Sequence, residues 1–280
     1  MQWRQYLTPV RSMDADEARD YMRKKPLDEF VLLDVRQEAE YAVGHIPGAK
    51  LIPLPDLPER LGELRSGKEV IVYCASGRRS RMAAQYLEGK GFAAVVNLAG
   101  GFNAWGGGAA FMGEEKGIAF FSGSESPRET LAAAYSLEAG LQEYYLSMID
   151  KVADRQVKQL FQKLSQIEVK HQDRIVEMYT EITGEATTRE AFESGPVQNV
   201  LEGGMTTEEY TNLFMPESDT LEGVIELAMS IETQALDLYS RASDRAKDEK
   251  SRLALTKIAD EERTHLAQLG KLMNKLLLGE

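Results

Sequence analysis

Three runs of consecutive apolar residues punctuate the first hundred positions: Phe30-Val31-Leu32-Leu33, Val70-Ile71-Val72-Tyr73 and Ala93-Ala94-Val95-Val96. Between them the apolar residues recur at helical spacing. Residues 14–25 predict a helix that buries Ala18, Tyr21 and Met22, and residues 80–90 predict one that buries Ala83, Ala84 and Leu87. Strands covered on both faces read as unbroken apolar runs, and their alternation with amphipathic helices predicts an α/β domain with a parallel sheet.

From residue 127 the apolar positions settle into four long helical stripes, which predict helices over 127–152, 154–183, 218–246 and 248–277. Ser126-Pro127-Arg128-Glu129 has the cap-then-Pro form of a helix start. A polar stretch with Gly184, Gly195-Pro196 and Gly203-Gly204 separates the second helix from the third, with a short helix expected over 206–210. A crossover of that length lets the two middle helices run parallel, so an all-α four-helix bundle follows the α/β domain. Gly106-Gly107-Gly108 and Ser122-Gly123-Ser124-Glu125-Ser126-Pro127 mark the break. The expected borders are a domain over 1–107, a linker over 108–126 and the bundle over 127–280. Phe111, Ile118, Phe120 and Phe121 indicate that part of the linker packs.

Charged residues interrupt the bundle stripes in a repeated way. Glu138 lies in the stripe of Ala134, Leu141 and Tyr145, and Glu232 in that of Ala228, Ala235 and Tyr239. Glu168 and His171 continue the stripe of Phe161, Leu164, Ile175 and Tyr179, while Glu262 and His265 continue that of Leu255, Ile258, Leu269 and Leu272. A single offset of 94 residues relates Glu138 to Glu232, Tyr145 to Tyr239, Glu168 to Glu262 and His171 to His265, the mark of a duplicated helical hairpin. Glu143 and Asp237 share the offset, but Asp237 has Thr233, Ser240, Arg241 and Asp244 for company, which reads as a solvated face. In each Glu-x-x-His the carboxylate and imidazole share a helix face. Four carboxylates converging in an apolar interior would cost several kcal/mol per ion if unpaired. Two divalent cations bring their charge to zero.

The other chemical stretch is Cys74-Ala75-Ser76-Gly77-Arg78-Arg79-Ser80, directly after the second apolar run. In parallel sheets ligands collect at the carboxyl ends of strands. A short Gly-containing loop leading into a helix turns its N–H groups inward and adds the positive end of the helix dipole, which favours an anion held over the sulfur. Such surroundings lower a thiol pKa, so Cys74 is expected to be a nucleophilic thiolate rather than an inert buried thiol.

Composition narrows the function classes. One Cys among 280 residues excludes internal disulfides and any Cys-rich electron-transfer centre. No long apolar span and no signal-peptide stretch occur, and a cytoplasmic protein is expected. Residues 1–110 carry 15 Lys+Arg against 14 Asp+Glu, which leaves −13 of the net −12 on residues 111–280. An acidic helical half disfavours nucleic acid or an anionic membrane as partner.

At the six donors the sequence resembles the rubrerythrin and ferritin-like di-iron proteins, over about the last 150 residues. The resemblance implies two iron ions, or manganese in place of one. Glu168 and Glu262 would bridge the ions, Glu138, Glu232, His171 and His265 would be terminal ligands, and Tyr145 and Tyr239 would orient ligand carboxylates. Two departures stand out. Ala235 occupies the position three residues after Glu232 where rubrerythrins commonly carry another Glu, and the four-cysteine module they commonly carry is absent.

Over most of residues 8–105 the sequence resembles the single-domain rhodaneses. The matching stretches are Leu33-Asp34-Val35-Arg36, Gly44-His45-Ile46-Pro47-Gly48-Ala49, Val72-Tyr73-Cys74 through Ser80, and Asn97-Leu98-Ala99-Gly100-Gly101-Phe102-Asn103-Ala104-Trp105. The resemblance implies a persulfide on Cys74, cradled by loop amides from Ala75 to Arg79, and transferred from a small sulfur donor to a thiophilic acceptor. Asp34, Arg36, His45 and Trp105 read as scaffold. Related phosphatases use Cys-x5-Arg; the spacing here to Arg79 is Cys-x4-Arg, which favours sulfur. Arg78 and Arg79 suit an anionic donor such as thiosulfate, but Ala75 stands directly after Cys74 where many thiosulfate-specific rhodaneses carry a basic residue, which leaves the donor open.

Together these readings describe a sulfurtransferase fused to a di-iron site that reacts with peroxide or dioxygen using an external electron donor. A homodimer through the helical domain is expected, with Leu276-Leu277-Leu278 either in that contact or buried in the bundle. The alternatives are a metal-binding or iron-storage protein with a sensory rhodanese module, and a metal-free dimerisation scaffold.

Overall fold

The computed structural model describes residues 10–64, 67–111, 117–193 and 220–278. The chain divides into two compact units, Met1–Met112 and Gly113–Glu280.

The first unit is built on strands β1 (Ser12–Met13), β2 (Phe30–Asp34), β3 (Lys50–Leu51), β4 (Glu69–Tyr73) and β5 (Val95–Leu98). They form one parallel sheet in the order β1-β5-β4-β2-β3. Helices α1 (Ala15–Lys24), α2 (Glu38–Val43), α3 (Leu57–Arg60) and α4 (Arg78–Gly89) connect them. Successive strand residues enter different cores. Leu33, Val70, Val72 and Val95 pack with Ala83, Ala84 and Leu87 of α4. Phe30, Leu32, Ile71, Tyr73, Val96 and Leu98 pack with Ala18 of α1 and Tyr41 of α2. Coverage of both faces is why the runs lack polar alternation.

Two details depart from the sequence pattern. Tyr21 and Met22 are only half-buried, because α1 turns its small Ala15 and Ala18 toward the sheet. The last strand begins at Val95, and Ala93 and Ala94 are exposed. Its register is set by β4, with Val70 opposite Val95 and Val72 opposite Asn97, so the strand runs on through a polar residue.

The second unit has four long helices among the described residues: α5 (Pro127–Ile149), α6 (Arg155–Thr183), α8 (Leu221–Arg245) and α9 (Glu249–Leu278), with a one-turn α7 (Glu190–Glu193) after α6. α5 packs along α6 and α8 along α9, and the two hairpins meet through α5 with α9 and α6 with α8 and α9. Ser126 starts α5 through a capping box, its hydroxyl accepting from Glu129 N while the Glu129 carboxylate accepts from Ser126 N. The core holds Leu141, Tyr144, Tyr145, Phe161, Leu164, Val224, Ala228, Ile231 and Leu269. The short helix expected over 206–210 and most of the crossover lie outside the described residues.

The stretch expected as a linker packs at both ends. His45 N donates to Ala110 O and Ala110 N to His45 O within the first unit. Ile118 and Phe121 are buried in the second, where Phe121 meets Tyr239 edge-on with ring centroids 6.1 Å apart. Leu276 and Leu277 are exposed rather than buried in the helical core. No helix among the described residues is long and apolar enough to cross a membrane.

Candidate functional site

Cys74 stands directly after β4, at the carboxyl end of the sheet. Its side chain is buried beneath the loop that enters α4. Gly77, at φ +85°, turns its N–H onto the sulfur at 3.2 Å. From the opposite side, Phe102 N donates to Cys74 O at 2.8 Å and Asn103 N to Ala75 O at 3.0 Å. That approach requires glycine at 101, because a Cβ there would stand 2.1 Å from Cys74 O and the backbone has φ +59°.

Burial pushes the Cys74 thiol up, but the Ser80 hydroxyl and the amides of Ser80, Ser76 and Gly77 outweigh it and hold the thiol below its ordinary range. Ser80 Oγ lies 3.5 Å from the sulfur and 2.6 Å from Asn97 Oδ1. A hydroxyl has one proton and the shorter contact takes it, so the amides carry most of the stabilisation. Arg78 is exposed and makes no ion pair or hydrogen bond among the described residues. Arg79 is half-buried and paired with Glu40. Asp34 and Arg36 form a buried ion pair at 2.7 Å, and Arg36 also donates to Gly44 O. His45 is buried and stacked on Tyr41, while Trp105 is buried and donates to Gly108 O. These four hold loops and do not face the sulfur.

In the helical unit the six expected donors fall into two groups, Glu138–Glu168–His171 and Glu232–Glu262–His265, whose ligand atoms lie within 4.8 Å of one another in each group. His171 Nδ1 is 2.9 Å from Glu168 Oε2 and 3.3 Å from Glu138 Oε2. His265 Nδ1 is 3.1 Å from Glu262 Oε2 and 3.6 Å from Glu232 Oε2. The groups adjoin, since the two imidazoles stack with centroids 4.1 Å apart and planes at 4°. Tyr145 and Tyr239 are wholly buried, two turns after Glu138 and Glu232 on the same helix faces.

All four carboxylates are buried, and among the described residues Glu168 Oε2 and Glu232 Oε2 lack a hydrogen bond of good geometry, although an imidazole nitrogen faces each. Burial pushes Glu168 well above the usual carboxylate range. For Glu232 burial acts the same way but Glu262 and His265 outweigh it, and its pKa falls. Burial opposes the charged ring of His171, yet Glu138 and Glu168 outweigh it and push the pKa up to about 12. Buried, incompletely satisfied oxygen donors beside inward Nδ1 atoms fit a divalent first-row metal, with iron or manganese suited to this mixed oxygen and nitrogen set.

The reading of Asp237 as solvent-facing is corrected: it is buried and ion-paired to Arg241 at 2.9 Å. Residue type along one face gave no sign that α8 is covered on a second side, where Thr233 and Gln234 are buried too. Glu143, its equivalent on α5, is exposed. Sequence reasoning also missed Glu40 and Asn97. The signals were available: Glu40 stands three residues after the helix cap Gln37, and Asn97 is an amide inside an apolar run.

Comparison with known proteins assigns both units. A rhodanese-like domain model matches residues 14–107, and a rubrerythrin model matches residues 129–273. The Bacillus subtilis protein YqhL is 41% identical over 98 residues, 35% of this chain and 74% of that protein. A sulfurtransferase of Allochromatium vinosum is 41% identical over 78 residues, 28% of this chain and 73% of that protein. The crystal structure of a rhodanese-like domain protein from Staphylococcus aureus is 36% identical, covering 36% of this chain and 98% of that one with a TM-score of 0.34. Its helical unit, matched over more than half the chain, makes this protein a member of the rubrerythrin family, whose fold implies iron binding, and its first unit is a rhodanese-like domain fused ahead of it.

Proposed function

We propose that the first unit is a sulfurtransferase that carries sulfur as a persulfide on Cys74. The thiolate attacks the outer sulfur of a small donor. A Cys74 S–S bond forms as the donor's bond to that sulfur breaks, and the donor leaves with the electron pair as a thiolate or as sulfite. A thiophilic acceptor then takes the outer sulfur and returns the thiolate, so no outside oxidant or reductant is consumed. The amides of Ser76, Gly77 and Ser80 hold the negative sulfur in place, and Arg78, with Arg79 offset by its Glu40 partner, stabilises the approaching anion. The observation that carries this reading is a buried sulfur at the carboxyl end of β4 that accepts from Gly77 N. Incubation with a sulfur donor should add the mass of one sulfur atom to the protein, removable by cyanide as thiocyanate. A Cys74→Ser variant that still acquired cyanide-labile sulfur would end the assignment.

For the second unit we propose two iron ions, with manganese able to replace one, held by Glu138, Glu168, His171, Glu232, Glu262 and His265. Bound iron supplies redox chemistry toward peroxide or dioxygen. By resemblance to the rubrerythrins, Glu168 and Glu262 would serve both ions, and Tyr145 and Tyr239 would steady the carboxylates. Electrons come from an external donor. The supporting observation is the pair of three-donor groups brought together by stacked imidazoles. Metal analysis should give two ions per chain, with an optical spectrum that changes on adding peroxide, and Glu168→Ala should lose metal. Loading of many irons per chain into a large assembly would instead identify a storage protein.

A further inference from the structure

The cation closest in sequence to the sulfur loop's end does not act alone. Arg79 Nη1 donates to Glu40 Oε2 and Arg79 Nη2 to Glu40 Oε1, both at 2.7 Å. This two-point fork fixes the plane of the guanidinium as well as its charge partner. Glu40 is itself anchored, since Oε2 also accepts from Gln37 N at 3.1 Å within the capping box that starts α2. The clamp therefore joins α2 to the first turn of α4, beside the catalytic loop. The Arg79 side chain holds the carboxyl of Glu40 down to about 2, so the carboxylate is charged at any working pH.

The fixed charges around the sulfur can then be assigned. Arg36 is neutralised by Asp34; Arg79, whose guanidinium also bears on the Cys74 sulfur, is paired with Glu40, and the position after Cys74 is the uncharged Ala75. Arg78 supplies the remaining positive charge of the loop. With thiosulfate, a dianion meets a thiolate and three negative charges gather at this site. With an organic persulfide, R–S–S⁻, only two do.

We propose that Glu40 is a specificity-determining residue of sulfur loading, which by neutralising Arg79 tunes the loop to singly charged organic persulfides over thiosulfate. This rests on Cys74 being the sulfur carrier. In the favoured step the Cys74 thiolate bonds to the outer sulfur of R–S–S⁻, the donor S–S bond breaks, and R–S⁻ leaves; atoms and charge balance without a co-reactant.

The test uses the full chain with cyanide as acceptor, comparing kcat/KM for thiosulfate and for a simple alkyl persulfide. The unmodified protein should favour the alkyl persulfide. Glu40→Gln should raise the ratio of thiosulfate to alkyl persulfide efficiency by roughly tenfold, the size of one unscreened charge near the site. Glu40→Asp should restore the original ratio, and added salt should shrink the Gln variant's gain. A parallel change for both donors in Glu40→Gln would make the residue a structural clamp only and overturn the inference. So would a preference of the unmodified protein for thiosulfate, a result that needs no variant to fold. Should neither donor place sulfur on Cys74, the carrier reading itself fails; should sulfur load without any shift in ratio, only the role of Glu40 does.

Discussion

Cys74 owes its expected reactivity to directed amides, for it is almost wholly buried. Because its pKa is lowered, the thiolate persists below the roughly pH 8.5 at which an ordinary thiol half-ionises. The rate of sulfur loading should therefore rise with pH and level off before that point; a midpoint at or above it would contradict the amide argument. At the metal donors the sign runs through protons. His171, pushed up to about 12, holds a proton near neutrality that a cation must displace, and burial raises Glu168 in the same direction. Titration with ferrous ion in weak buffer should release protons, and affinity should climb as pH rises through neutrality. Asp237 carries a third prediction. Asp237→Ala leaves Arg241 with a lost partner in a largely buried place and should cost about 3 kcal/mol in urea unfolding of the helical unit. A loss under 1 kcal/mol would show that water already reaches the pair. The clustering of the six Glu and His side chains and the place of Cys74 at a strand end were legible in the sequence because each sits in a strict local pattern. Asp237 and Glu40 were not, since their burial and pairing depend on elements distant along the chain.

At the scale of elements, the three central strands follow from the apolar runs while the two-residue edge strands β1 and β3 lie outside them, and the helices follow from stripes whose ends coincide with caps such as Asp14, Ser126 and Asp154. The strand whose limits shifted most, β5, contains Asn97, a polar residue tolerated because Ser80 donates to it inside the protein. What pattern cannot supply is the meeting of two loops. The segment after β5 crosses the segment after β4 with no room for a side chain at Gly101, and this contact fixes the backbone of Cys74 and Ala75. Gly101→Ala must push the loops apart or strain a backbone at φ +59°. It should cost about 1–3 kcal/mol and slow sulfur loading more than it lowers thermal stability would explain. Equal loading rates at a temperature well below unfolding would show that the loop adapts.

For the molecule as a whole, the two units predict separate responses. Removing metal should lower the melting temperature of the helical unit, with a loss of about 4 kcal/mol where free metal stood a thousandfold above its dissociation constant. Calorimetry should show the transition of the first unit unmoved. Covalent fusion also motivates a functional link: if Cys74→Ser leaves peroxide turnover with a sulfur-containing reductant unchanged, the two chemistries are independent. The duplicated hairpin has a further consequence. Each hairpin presents a whole set of three donors, as each subunit of a two-fold dimer would across a self-complementary interface. Written into one chain, that symmetry no longer binds the two copies to change together. Gln142 and Gln172, hydrogen-bonded at 2.9 Å beside one imidazole, have Leu236 and Leu266 as their counterparts, so the paired halves already give the two three-donor groups unlike surroundings.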